Sequence, residues 1–176
     1  MYAAEAAFLR AEGELKGWDM QGDAETFYEQ GIRLSFEEFK VTGVDAYLDD
    51  DKSKPGNYVD PNHSADNYSN LSTITIKWDK SATPEEMLER VLTQKWIALY
   101  PDPLNGWSDF RRTGFPKIFP ATHSANPDCK PARGQRRLRF ADTEHKTNKE
   151  NVEAAVTMLS DGRDSNGTDL WWALKN

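Results

Sequence analysis

Three pairs of neighbouring residues carry the chemistry this sequence is best equipped for. Asn57 with Tyr58, Asn67 with Tyr68, and Trp18 with Asp19 each set a flat ring beside an amide or a carboxylate. That pairing suits a sugar: the ring covers the apolar C–H face and the polar group meets the hydroxyls. Asn57, Tyr58, Asn67 and Tyr68 lie in a stretch dominated by Asp, Asn, Pro, Gly and Ser, and Trp18 lies between two helical patterns. The same rings can serve as loop anchors packed against the body of the protein. That is the commoner role, because scattered surface aromatics are ordinary.

Other chemistries find less support. His63, His123 and His145 are scattered, without the spacing of a transition-metal site, and no metal or other cofactor is expected. Asp49, Asp51, Ser53 and Asp60 occupy positions one, three, five and twelve of a calcium-loop frame. Lys54 stands where the sharp turn wants glycine, and Pro55 follows it, so a solvated acidic loop is the better reading. Asp164, Asn166 and Asp169 around Gly167 form a similarly weak oxygen cluster. There is no Gly-x-Ser-x-Gly elbow, and Cys129 sits between Asp128 and Lys130 with no evident histidine partner. Glycoside hydrolysis needs two carboxylates held across one bond. Glu85, Glu86 and Glu89 stand at a helix start, where they favour the macrodipole, and Glu37 and Glu38 read as a solvated face. A non-enzymatic protein is expected. Arg133, Arg136, Arg137 and Arg139 make a basic run whose plainest use is pairing with acidic helix faces. Arg111 and Arg112, beside Trp107 and Phe110, are expected to clamp the turn between Pro101 and Pro116.

Composition sharpens these choices. The 176 residues carry 29 acidic and 22 basic side chains, a net charge of -7, which argues against a nucleic-acid partner. A single cysteine forbids an intramolecular disulfide. No apolar run approaches the length of a membrane span. No secretory leader pattern precedes the first helix, which is already running at residue 2. That abrupt start reads as the C-terminal portion of a longer chain.

The elements that must position these residues are mostly helical. Ala4, Ala7, Phe8, Ala11 and Leu15 share one face of a helix over 2–16. Asp23 is an N-cap for a second helix over 24–39, where Ala24, Phe27, Tyr28, Gly31, Ile32 and Phe39 share a face. The spacing of Ala24, Tyr28 and Gly31-Ile32 resembles the second helix of a tetratricopeptide repeat, in which small residues admit a close partner. Residues 41–71 read as loop, and Thr73 to Trp78 as an edge strand or an extended linker. Thr83-Pro84-Glu85-Glu86 is a capping box that opens a helix over 84–100, with Leu88, Val91, Leu92, Trp96 and Leu99 inward. Trp78, Trp96 and Trp107 are expected in the core. A short helix over 104–112 follows, then a segment broken by Pro116, Pro120, Pro127 and Pro131. Arg136 to Phe140 reads as a brief extended run, and Asn148 as the cap of a last helix over 149–159.

Several separated motifs occur in one order: Ala7-Phe8-Leu9-Arg10-Ala11-Glu12, Tyr28-Glu29-Gln30-Gly31-Ile32, Trp78-Asp79, and Gln94-Lys95-Trp96-Ile97-Ala98 running on to Arg111-Arg112-Thr113-Gly114-Phe115-Pro116. Arg136-Arg137-Leu138, Asn148 to Val152 and Trp171-Trp172 complete the series. Together they resemble the C-terminal region of SusD/RagB-type nutrient-binding lipoproteins of the bacterial outer membrane. The resemblance implies a mainly α-helical fold with a tetratricopeptide-like helix pair, further helices, long loops and a short β element. It also implies a single C-terminal region over residues 1–176, non-catalytic binding of a glycan or other nutrient, and partnership with a TonB-dependent transporter at the cell surface. The lipid anchor of the family would lie upstream of this sequence. No glycan-binding motif of the family can be matched here residue by residue. A helix pair short of stacking partners leaves association or marginal stability as a further expectation, and a stand-alone helical module that binds protein is the alternative reading.

Overall fold

A computed structural model describes residues 2–121, 124–131 and 133–173, and His123 lies outside them. Among the described residues the regular structure is helical, with seven α-helices and no sheet, and long irregular segments join them. They are α1 (Ala3–Leu15), α2 (Ala24–Glu38), α3 (Val44–Leu48), α4 (Pro84–Ala98), α5 (Pro103–Thr113), α6 (Asp142–Thr147) and α7 (Lys149–Thr157). None of them is long and apolar enough to cross a membrane. The chain divides into two compact units, one of residues 1–110 with 114–118 and one of residues 111–113 with 119–176.

The first unit is built on an α1–α2 hairpin. Ala4, Ala7, Phe8 and Ala11 bury one face of α1 as their spacing predicts. The helix ends at Gly17, whose φ of +78° places it in the left-handed region. Trp18 N–H donates to Gly13 at 3.0 Å and Gly17 N–H to Glu14 at 2.9 Å, the paired bonds of a Schellman ending. Asp23 then caps α2 by accepting from Thr26 N–H at 2.9 Å. At Gly31 the two helices approach so closely that a Cβ would stand 2.7 Å from the Phe8 ring. This is the close pairing expected of a repeat-like helix pair.

Around that contact Phe8 meets Tyr28 edge-on at 6.4 Å, and Tyr28 packs against Trp78 at 5.1 Å. The Tyr28 hydroxyl donates to the Ile76 carbonyl at 2.6 Å. One buried tyrosine therefore fastens the 72–78 segment onto the hairpin. That segment pairs with no strand, so the edge-strand option for Thr73 to Trp78 is corrected to an extended linker. Residues 41–71 likewise hold more structure than a loop: α3, and a 3-10 turn over Ser64–Asp66.

The capping box of α4 forms as read. Thr83 Oγ1 accepts from Glu86 N–H at 3.2 Å, and a Glu86 carboxylate oxygen accepts from Thr83 N–H at 2.8 Å. Its buried face differs from the expected stripe. Val91, Leu92, Ala98 and Leu99 are inside, but so are Glu89, Arg90, Gln94 and Lys95, while Trp96 is 50% exposed. Each of these four side chains has a partner brought from elsewhere in the chain, as burial requires, although Nη1 of Arg90 is buried without a hydrogen bond among the described residues. Glu89 accepts from Ser72 Oγ at 2.5 Å and pairs with Lys117 at 2.8 Å. Gln94 exchanges hydrogen bonds with the Tyr47 hydroxyl, and Lys95 pairs with Asp109 of α5 at 2.8 Å. Arg90 donates from Nε to the Thr75 carbonyl at 3.2 Å. Of the three tryptophans expected inside, Trp78 packs against the core, Trp107 is half-buried in the wall of a groove, and Trp96 is largely outside. Its indole lies on Gly106 of α5, where a Cβ would stand 2.8 Å from the ring.

Polar contacts hold the second unit more than apolar ones do. Arg136 donates to Asp169 at 2.7 Å, Arg133 pairs with the same carboxylate, Arg137 with Asp164, and Arg139 with Asp128. The acidic partners of the arginine run are loop aspartates, not the helix faces expected. The weak oxygen cluster at Asp164 and Asp169 is thereby explained as the anionic half of this network. Arg111 donates to the Arg136 carbonyl at 2.7 Å, its guanidinium lies 4.7 Å from the Trp172 ring, and Arg136 reaches back to the Arg111 carbonyl. Arg111 thus ties residue 136. Burial and the neighbouring Arg136 lower its pKa. Asn148 makes no side-chain cap to α7, because its carboxamide oxygen accepts from Asn151 Nδ2 at 2.6 Å and α6 runs directly into it.

Candidate ligand-binding site

Asp60 organises the loop that carries the candidate sugar residues. Its Oδ1 accepts from the N–H groups of Asn62 at 2.8 Å and His63 at 2.7 Å, which closes an Asx turn over Pro61. Its Oδ2 accepts from the Tyr58 hydroxyl at 3.0 Å, and its own N–H donates to Asn67 Oδ1 at 2.8 Å. The backbone donors of Asn62 and His63, followed by the Tyr58 hydroxyl, hold the Asp60 carboxyl below the ordinary carboxylate range. The reciprocal hydrogen bond to Asp60, and then its charge, push the Tyr58 phenol up. At neutral pH this is therefore an ionised aspartate beside a protonated phenol.

The turn brings residues 58 and 68 together as an antiparallel bridge: Tyr58 N–H donates to Tyr68 O at 2.9 Å and Tyr68 N–H to Tyr58 O at 3.0 Å. Beside it, Asn57 Oδ1 accepts from Asn70 N–H at 2.8 Å. Both asparagines thus spend their carbonyl oxygens inside the loop. Their Nδ2 amino groups have no intramolecular acceptor among the described residues. Tyr58 is 43% exposed and Tyr68 half-buried. The arrangement offers one accessible ring and two amide donors on a loop fixed from within.

Four of the five sequence candidates, Asn57, Tyr58, Asn67 and Tyr68, are therefore brought together. Trp18 is not: it stands 63% exposed at the end of α1, and no hydrogen bond or ring contact joins it to the bridged loop among the described residues. Its neighbour Asp19 accepts from Gln21 N–H at 2.9 Å. Asp60, read from sequence only as part of a solvated acidic loop, is the organising residue that sequence reasoning missed. The signal was present in Asp60-Pro61-Asn62-His63, an aspartate followed by proline at the start of a turn. Asp49 of the same loop pairs with Lys77 at 3.2 Å.

A second concave surface lies in the first unit. Trp96, Tyr100, Pro101, Trp107, Phe110 and Ile118 line a groove of about 560 Å³ between the end of α4 and the start of α5. Its polar rim is already committed: Asp102 caps α5 through Leu104 N–H at 3.2 Å and accepts from Asn105 Nδ2 at 3.1 Å.

Comparison with known proteins agrees with this architecture. A family profile described as SusD-like, SusD and RagB outer membrane lipoprotein, matches residues 1–173. A SusD-like protein from Bacteroides thetaiotaomicron of known crystal structure is 69% identical over all of this chain and 37% of its own, with a TM-score of 0.94. A chitin-binding SusD homologue from Flavobacterium johnsoniae is 41% identical over all of this chain and 36% of its own, with a TM-score of 0.93. A SusD homologue from Bacteroides uniformis is 48% identical over 99% of this chain and 37% of its own, with a TM-score of 0.93. The chain thus spans little more than a third of the length of these structures. No functionally curated protein matches it significantly.

Proposed function

The chain belongs to the SusD-like family of outer membrane lipoproteins, and from that membership we propose that it is part of a non-catalytic receptor that captures an oligosaccharide at the cell surface and delivers it to a TonB-dependent transporter. The observation that carries the sugar assignment is the bridged loop, with its exposed Tyr58 ring and the open amide nitrogens of Asn57 and Asn67 held by Asp60. A ring stacks on the C–H face of a pyranose, and amide N–H groups donate to its hydroxyls or to an N-acetyl carbonyl. The 41%-identical relative binds chitin, a polymer of N-acetylglucosamine, so oligomers of that sugar are the first ligands to try. Trp18 is an outlying second platform.

A non-catalytic role is supported by how the nearby carboxylates are used. Asp60 is spent on three donors, and the Glu86 and Glu89 carboxylates are tied to Thr83 and to Ser72 with Lys117. The test is calorimetric titration of the chain with chitin oligosaccharides, followed by analysis of the recovered sugar. Saturable binding with intact sugar, weakened roughly tenfold in Tyr58→Ala, is expected; that factor corresponds to about 1.4 kcal/mol. Binding that Tyr58→Ala leaves unchanged refutes the site, and shortened oligosaccharide refutes the receptor.

A further inference from the structure

The bridged loop carries a charge that its own hydrogen bonds do not cancel. Asp60 accepts from Asn62 N–H, His63 N–H and the Tyr58 hydroxyl, and all three donors are neutral. Such donors fill the lone pairs of a carboxylate and leave its charge in place. The basic side chain beside it is His63, whose Nδ1 stands 3.9 Å from Asp60 Oδ1 and is a cation only when protonated. A second carboxylate, Asp66, closes the 3-10 turn Ser64–Asp66 directly before Asn67 and Tyr68. The hydrogen bond to Asp60 first, then the charge of Asp60 and, more weakly, that of Asp66, push the Tyr58 phenol up. Both fields therefore reach the ring that is offered to a sugar. From Asp49 to Asp66 the sequence holds five aspartates against Lys52 and Lys54.

We propose that this loop sorts glycans by charge: it admits uncharged N-acetylated chains and excludes acidic ones, whether uronate or sulfated, with Asp60 and Asp66 as the residues that decide. The inference rests on the sugar reading of the loop and adds the substrate class which that reading leaves open. A neutral pyranose over Tyr58 meets the two carboxylates only through its hydroxyl dipoles, which turn their protons toward them. A sulfate or carboxylate on the stacked unit sets a like charge against the loop. That repulsion acts at an exposed site, so it is real but open to screening by salt. A site built for an acidic sugar would set a guanidinium fork against it. Here the donors are the amides of Asn57 and Asn67, which carry no net charge.

The test is calorimetric titration of this chain, at neutral pH, with the chitin tetrasaccharide and with the same tetrasaccharide sulfated at its primary hydroxyls. The two share backbone and linkages and differ in charge. In about 20 mM salt, where screening is weak, the sulfated form is expected to bind about tenfold more weakly, and in about 500 mM salt the gap should close to about threefold or less. Asp66→Asn is expected to narrow the low-salt gap about threefold and to leave the affinity for the uncharged tetrasaccharide within about twofold. Asp60→Asn keeps an oxygen for the two turn N–H groups, and only the ratio of the two affinities is read from it; that ratio should narrow as well. Equal affinities in low salt, with Tyr58→Ala still weakening both, overturn the charge selection alone. A gap that salt leaves intact overturns it in favour of steric exclusion of the sulfate. A gap that salt closes but neither substitution changes overturns it in favour of the net charge of -7 over the whole chain. Binding of neither tetrasaccharide overturns the sugar reading and this inference together.

Discussion

The contact between Phe8 and Gly31 makes a prediction whose sign depends on its surroundings. Phe8 is fully buried, and a Cβ at Gly31 would stand 2.7, 2.7 and 2.9 Å from three of its ring atoms. Gly31→Ala therefore forces the ring, which is backed by Tyr28, to move within a packed interior, at a cost of about 1–3 kcal/mol. The alanine returns about 1 kcal/mol of helix propensity, so the single change is expected to be neutral to moderately destabilising. Phe8→Ala removes the obstruction and costs about 3–5 kcal/mol of stability. In that background Gly31→Ala meets open space and should stabilise by about 1 kcal/mol. The two backgrounds thus differ by about 1–3 kcal/mol, well above the few tenths expected of independent sites. Urea unfolding followed by circular dichroism on the four members of the cycle measures it. If Phe8→Ala proves too unstable to study, Phe8→Leu relieves part of the same contact. An equal effect of Gly31→Ala in both backgrounds would refute the close approach as the reason for glycine.

Other consequences follow from single observations. Lys40 ends α2 with φ +54°, a left-handed position where glycine carries no Cβ penalty, so Lys40→Gly should raise stability by about 1 kcal/mol in the same urea assay. Lys117→Met leaves the buried Glu89 carboxylate with the Ser72 hydroxyl as its remaining partner among the described residues, at a cost of about 3 kcal/mol, and adding Glu89→Gln should recover most of it. Asp164 and Asp169 are partly buried, which raises a carboxyl pKa, but hydrogen bonds from Arg137 and His145 to the first, and from Arg133 and Arg136 to the second, win and hold both below 3.8. Stability that depends on a lowered pKa is present above the ordinary value and lost as pH falls through the lowered one. Pepsin cleavage around Leu159 to Trp172 should therefore accelerate as pH drops below about 4; a rate that follows only the protease's own pH dependence would contradict this.

What the sequence disclosed, and what it hid, divides along one line. Features that depend on neighbours within a turn or two were legible: the Thr83–Glu86 box, the Asp23 cap, the α1 stripe and the glycine of the hairpin. Features that depend on a partner far along the chain were not. Glu89, Arg90 and Lys95 look like solvent-facing charges until Ser72, Lys117, Thr75 and Asp109 are set around them. Trp96 fell on the expected stripe because apolar periodicity cannot tell that the polar flank of α4 is the buried one. The sugar candidates show the same division. Each ring–amide pair was visible by itself, but their union through a bridge between residues 58 and 68 needed Asp60, whose role lies in the turn between them.

The account's central claim is that this polypeptide holds a carbohydrate on the bridged loop without changing it. The most direct measurement is a crystal of the chain soaked with a chitin oligosaccharide. The account predicts an unbroken sugar with one ring over Tyr58 and its polar groups within hydrogen-bonding distance of Asn57 and Asn67. A sugar bound elsewhere on the chain, or a cleaved one at any position, would contradict it.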